Sequence, residues 1–340
     1  MGMSDYERAA WYSLCEEATH PRRQRGLPAP IRRVASRAGG AAQGAWQRAP
    51  GADAGTEVLR RCLAGLKGLT IDPALQSVVT SRVLRSYQRA GHPVRSLKDI
   101  RALDLEVIDR TTPQLQWRYS AAAALEGAGA GLAISGGEAL ALFGSVAGAG
   151  AGAAPGAGTV LGAMAIDAAA VMAGSARSVA HVAAYHGFDV RQPEEAIFAL
   201  SVLTWSTAGT EGTKAAAFSQ LSLITQQLAR GATWAQLGDH LLVKVVQELY
   251  IRLGLRLTER KLGQMMPVVG IGIGASLNAQ LLRRTTGDAR TAYRLRLLSS
   301  KYGLDPLAST GRSEQERTIK GDVIDIEAVL HEVEASEDQG

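Results

Sequence analysis

Aromatic side chains are scarce in this sequence: Phe, Trp and Tyr together make up 5% of its 340 residues. The 46% apolar content therefore comes mainly from small aliphatic residues, with 38 glycines beside them, a composition that favours close backbone approach between helices over large interlocking rings. Cysteine is nearly absent: Cys15 and Cys62 stand in unrelated contexts without a CxxC partner, which argues against both a disulfide framework and a zinc site. No cofactor or metal ligand set is expected. Strand-like alternation is missing too, apart from an imperfect run from Thr318 to Ile326. The stretch Met1 to Glu17 carries Asp5, Glu7, Arg8, Glu16 and Glu17 where a signal peptide needs a long apolar run. The expectation is a cytoplasmic protein with reduced thiols.

What the sequence does contain is helical periodicity. The short helix of residues 1–19 precedes a Pro-, Gly- and Arg-rich arm that reaches Gly55. From Thr56, apolar residues at Val58, Leu59, Cys62, Leu63, Leu66 and Leu69 predict an amphipathic helix ending near Gly68, and Pro73 opens another. Ser96-Leu97-Lys98-Asp99 reads as a capping box, with a further short helix after Asp104 and before Pro113. Downstream, helices are expected from Gln192-Pro193, from Thr213 to Arg230, Thr233 to Leu262, Pro267 to Thr285, and Asp288 to Lys301. The fold class is all-α, a multi-helix bundle around a Gly/Ala-rich helical hairpin at 120–187. It divides into an N-terminal helix and basic arm (1–55), a helical domain (56–305) and an acidic tail (306–340).

The net charge of +5 is unevenly spread. Seven arginines and no carboxylate lie between Arg22 and Arg48, whereas nine carboxylates face only Arg317 and Lys320 from Ser313 onward. Both stretches read as solvated tails through which a protein partner could be recruited. Specific nucleic-acid recognition is disfavoured, because no zinc ligand set, aromatic RNA-binding motif or reading helix accompanies the arginines.

Between Ser120 and Ile166 the only charged residues are Glu126 and Glu138. Gly144, Gly148, Gly152 and Gly156 recur every four residues, as do Gly150, Ala154, Gly158 and Gly162, the small-residue spacing of close helix contacts in membranes. One continuous helix is not expected, since each Gly costs about 1 kcal/mol relative to Ala and Pro155 about 3. A turn across 148–158 instead makes two arms, each approaching the ~20 residues needed to cross a bilayer core. Glu138 and Asp167 lie equally far from a turn centred between Gly152 and Ala153, and Glu126 falls within about one turn of Arg177 and His181. Glu126, Glu138, Asp167, Arg177 and His181 are thus a candidate polar cluster. Three readings stay open: carboxylates projecting into solvent, a shared proton or basic partner, and a catalytic or metal pair. His181 and His186, five residues apart, do not share one helix face as four-residue spacing would require, and suit packing or capping.

A second uncharged run, Leu262 to Leu282, places Gly270, Gly274 and Asn278 at four-residue intervals on one face. Its Pro267, Gln264, Asn278 and Gln280 favour a helix buried in the bundle. Arg283, Arg284, Arg290, Arg294 and Arg296 follow, interleaved with Tyr293, Leu295, Leu297 and Leu298. A basic amphipathic helix of this kind suits an anionic membrane surface, and equally an ordinary solvated face.

From Val58 to Tyr302 the sequence resembles the EcsC family of bacterial proteins. The resemblance rests on the order of Ser96-Leu97 with Leu103 to Asp109, Glu126-Gly127, Asp167 with Arg177, Tyr185-His186-Gly187-Phe188-Asp189, Lys261, Pro267-Val268-Val269-Gly270, Gly274 and Asn278. It implies a helical, membrane-associated protein and supplies no catalytic residue. Together these features predict a non-enzymatic cytoplasmic protein that meets a membrane peripherally or through its hairpin. The alternatives are a soluble helical adaptor and, behind it, an enzyme using paired carboxylates.

Overall fold

The structure, a computed structural model, describes residues 2–19, 52–122, 155–208, 211–230, 239–262 and 270–306, together with Ala308 and Val329. Among the described residues there is no strand. The helices are α1 (Asp5–Thr19), α2 (Ala52–Gln76), α3 (Thr80–Arg89), α4 (Leu97–Arg101), α5 (Leu105–Thr111), α6 (Pro155–Tyr185), α7 (Pro193–Thr207), α8 (Glu211–Arg230), α9 (Asp239–Leu262) and α10 (Gly270–Tyr302). Residues 115–122 add a helical segment after α5.

Local chemistry accounts for several of these starts. At α4 the Ser96 hydroxyl accepts from the Asp99 N–H while Asp99 Oδ2 accepts from the Ser96 N–H at 2.9 Å, the reciprocal capping box the sequence predicts. Asp104 caps α5 by accepting from the Glu106 N–H at 2.8 Å. α7 opens on Pro193, where the missing N–H costs nothing, with Glu194 and Glu195 at the positive end of the helix dipole.

Two predicted boundaries do not hold. α2 runs without a break through Gly68 and Pro73 to Gln76. Ala74 and Leu75 are buried beyond the proline, and Ser77 closes the end by donating from its N–H to the Pro73 carbonyl at 2.8 Å, so burial outweighs local propensity. The two helices predicted at 267–285 and 288–301 are one, α10, and Gly287 does not break it. A Cβ at Gly287 would lie 2.4 Å from Gln116 Nε2, so the glycine admits the 115–122 segment instead of ending the helix.

α6 packs against both α2 and α10, and α7 against α8, α9 and α10. Every residue of α7 from Glu195 to Thr207 is buried, as expected of a helix apolar all round. Its hydroxyls return hydrogen bonds to the helix itself: Ser201 to the Ile197 carbonyl at 2.7 Å and Thr207 to the Leu203 carbonyl at 2.7 Å. Gly254 of α9 allows close approach to α2, since a Cβ there would meet Leu63 at 2.9 Å. Gly174 lies against Leu282, while the rings of His186 and Phe188 lie 6.3 and 5.6 Å from that of Tyr293. Both pairings advance together, so α6 and α10 run parallel. Val329, in the stretch expected to be solvated, is fully buried in the core.

Candidate functional site

α6 ends in the motif Tyr185-His186-Gly187-Phe188-Asp189. Gly187 has φ +85, and the N–H groups of Phe188 and Gly187 bond back to the carbonyls of Ala183 and Ala184 at 2.9 and 3.1 Å, the double closure of a Schellman turn. A Cβ on Gly187 would meet the Leu97 carbonyl oxygen at 2.5 Å, so only glycine lets this turn sit on α4. The turn delivers two side chains to α10. His186 is fully buried; its Nδ1 donates to the Val182 carbonyl at 2.7 Å, leaving Nε2 bare among the described residues. Burial pushes His186 down to about 4, so it is neutral. Phe188 lies 4.3 Å from the Arg296 guanidinium, and Phe198 lies 4.2 Å from the same group.

Arg296 is 4% exposed, and Nη1 donates to Glu195 Oε2 at 2.5 Å while Nη2 donates to Oε1. This bidentate geometry compensates two buried charges. Asp109 of α5 forms a second centre. It accepts from Tyr6 Oη at 2.7 Å and from Arg290 Nη2 at 2.9 Å, and pairs with Arg294 Nη2 at 2.8 Å. Burial alone would raise its carboxyl, but the two arginines and the tyrosine hold it below the usual range. Glu7 of α1, also fully buried, accepts from the Leu105 N–H at 3.2 Å, from Lys301 Nζ at 2.9 Å and from Tyr302 Oη. Here too hydrogen bonds outweigh burial and keep the carboxylate ionised. Asp288 differs: burial lifts it to about 6, with Lys214 Nζ at 3.5 Å.

Glu7, Asp109 and Glu195 are committed to cations, so none is poised as a general base. Among the described residues no three His, Cys, Asp or Glu side chains converge as a metal site needs. A cleft of about 430 Å³ lies between α2 and α9, and its carboxylates Glu57 and Glu248 pair with Arg61 and with Arg60 and Arg252.

The candidate polar cluster is only partly described. Glu126 and Glu138, with Gly144 and Gly148, lie outside the described residues, as does the side chain of Asp167. Arg177 is exposed, and its carbonyl accepts from Tyr119 Oη at 3.3 Å. His181 Nδ1 pairs with the same hydroxyl at 3.1 Å, and burial with help from Arg118 and Arg177 lowers its pKa to about 4. Gly158 and Gly162 fall in α6 and Gly270, Gly274 and Asn278 in α10; their packing contacts lie outside what is described.

The five arginines expected on a membrane-facing surface divide. Arg283 and Arg284 are exposed, whereas Arg290 and Arg294 turn to Asp109 and Arg296 to Glu195. The surface expectation is therefore corrected for Arg294 and Arg296, which turn inward to α5 and α7, while Arg290 pairs with Asp109 and keeps a partly exposed side chain. Sequence reasoning also missed Trp117, which is 57% exposed with the Arg283 guanidinium 4.3 Å from its ring. Its signal was an indole placed three residues before an uncharged stretch, flanked by Arg118.

These features define an all-α bundle with a charge-paired core and an aromatic, basic rim. Comparison adds a family likeness: the EcsC protein family model matches residues 138–298, and over that stretch the chain is similar to the EcsC family. The match covers α6 to α9 and most of α10, including the Tyr185–Asp189 turn, Glu195 and Arg296. Ser96 to Asp109 and Glu126, part of the wider resemblance, precede it. None of the curated proteins or solved structures compared with the chain matches it.

Proposed function

We propose that this protein associates with a membrane from its cytoplasmic side, non-enzymatically, through the uncharged stretches of α6 and α10 and the sequence that leads into α6. One observation carries the reading: charge is distributed unequally along the parallel pair α6 and α10. From Gly270 to Leu282 α10 has no charged residue, and the level beside it on α6, Pro155 to Ala176, has only Asp167. Beyond that level come Arg177, Arg283 and Arg284, then the centres around Asp109, Glu195 and Glu7. Tyr119 adds to this. Its contacts with Arg177 and His181 fasten together the two ends of the stretch 120–176, so the chain leaves and returns at one place, as a hairpin entering one face requires.

Among the described residues no helix is long and apolar enough to cross a membrane. The proposal is accordingly entry and return on one side, with arginines at the boundary where the positive-inside tendency puts them. Flotation of the full-length protein with vesicles at low salt tests it: association with lipid is expected. Protein that stays in the aqueous phase with both neutral and anionic vesicles would refute the reading and favour a helical adaptor acting through its charged ends.

A further inference from the structure

The segment 115–122 lies in the crease between α6 and α10. Gln116 faces Gly287, Trp117 faces Arg283 one turn earlier on α10, and Tyr119 reaches Arg177 and His181 on α6. These contacts bring Arg118, Arg177 and Arg283 to one level around Trp117 and Tyr119, with Arg284 next to Arg283 on α10, and all four are exposed. Most neighbouring cations on α10 are consumed by carboxylates: Arg290 and Arg294 by Asp109, Arg296 by Glu195, Lys301 by Glu7. The four collar arginines have no carboxylate at ion-pair distance among the described residues. They are also positioned where the chain passes from charged to uncharged.

We infer that this collar is a binding surface for the headgroups of anionic phospholipids, with Trp117 seated among them at the depth of the glycerol backbone. The assignment rests on the membrane reading above and adds to it which lipid and which residues. Three properties fit. Guanidinium groups bind phosphate through paired N–H donors and remain charged. An indole with an apolar body and one N–H donor partitions to the interface. Unpaired cations close to an anionic leaflet each contribute about 1 kcal/mol to attraction. A second row of exposed cations, Arg82, Arg85 and Arg89 on α3, lies towards the other end of α6, since Ser86 and Tyr87 contact Tyr185. That row serves as an internal control.

The experiment compares full-length wild type, R283Q/R284Q and R82Q/R85Q on phosphatidylcholine vesicles with and without phosphatidylglycerol. Circular dichroism confirms equal helicity. R283Q/R284Q should bind phosphatidylglycerol vesicles about 30-fold more weakly than wild type, from two lost cations, and R82Q/R85Q should bind like wild type. Brominated phosphatidylglycerol should quench wild-type tryptophan emission more than that of W117F, a readout that does not depend on the arginine variants folding. Glycerol phosphate in solution should not displace the protein from vesicles. Equal binding by wild type and R283Q/R284Q would overturn the collar while leaving membrane association standing. The same holds for an equal loss in R82Q/R85Q. Duplex DNA bound with the same dependence on Arg283 and Arg284 would instead give the surface to nucleic acid and overturn the assignment. Binding to neither vesicle would remove the membrane reading itself.

Discussion

Glu7 and Asp109 bind the same three helices from opposite directions. Glu7 reaches out of α1 to the first N–H of α5 and to Lys301 and Tyr302 at the end of α10. Asp109 reaches out of α5 to Tyr6 of α1 and to Arg290 and Arg294 of α10. Each buried carboxylate satisfies cations that the other leaves alone, so the first turn of α1 is held to the bundle through two adjacent residues, Tyr6 and Glu7. Removing Asp109 would strand two guanidinium groups. Asp109→Ala should cost about 3 kcal/mol, read as a lower urea midpoint with an unchanged slope. Arg290→Ala, whose side chain is 41% exposed, should cost clearly less.

The Glu195–Arg296 pair makes a sharper test, because both partners are buried. Glu195→Gln leaves a guanidinium between Phe188 and Phe198 without a counter-charge and should destabilise by about 3 kcal/mol. The double variant E195L/R296M, which replaces the pair with apolar volume, should recover most of that loss. A thermal or urea double-mutant cycle measures the difference, and additive losses would contradict the pairing.

Acid stability follows from three kinds of group. His181 and His186 have pKa values lowered to about 4 from 6.5, so the unfolded chain binds their protons first, and the stability they confer is lost as pH falls from 6.5 towards 4. Asp288, raised to about 6 from 3.8, acts in the opposite sense and gains stability over much of that interval. Two protons against one leaves about one net, a fall of about 1.4 kcal/mol per pH unit. His186→Gln should nearly flatten this slope in urea melts taken across pH 6.5 to 4. Glu7 and Asp109, whose folded pKa values are depressed, add their loss only below the ordinary carboxylate range.

Gly187 and Gly91 share a positive φ, +85 and +86, but not an environment. An added methyl at Gly91 meets open space, so Gly91→Ala carries only the left-handed strain of about 1 kcal/mol. At Gly187 it would also strike the Leu97 carbonyl and Arg101. Gly187→Ala should therefore cost about 3 kcal/mol in total and loosen α4, visible as faster amide exchange at Leu97 to Arg101.

Much of the helical architecture is legible in the sequence, because its signals are local. Ser96 with Asp99 and Pro193 with Glu194 each specify a helix start within four residues. What is not legible depends on distant partners. The stretch between Thr285 and Asp288 reads as a gap between two helices until Gln116 is known to occupy the space above Gly287, and Pro73 reads as a start until Leu75 is known to be buried. The arginines of α10 read as a surface set because their counter-charges stand far away, at Asp109 and Glu195. Arg296 had a local signal: it sits between Leu295 and Leu297, with Leu298 after it, three residues beyond a buried Tyr293, where a solvated side chain would be out of register. The collar escaped notice for the same reason, since Trp117 and Arg283 are brought together only by the fold.

The most direct test of the account is hydrogen exchange by mass spectrometry on the full-length protein, with and without vesicles containing phosphatidylglycerol. Entry of the uncharged stretches predicts slowed exchange in residues 121–176 and 270–282 when vesicles are present, with α4, α5 and α7 unchanged. Exchange that is the same with and without vesicles throughout those two stretches, or slowed only in the charged segments 22–48 and 313–340, would contradict it.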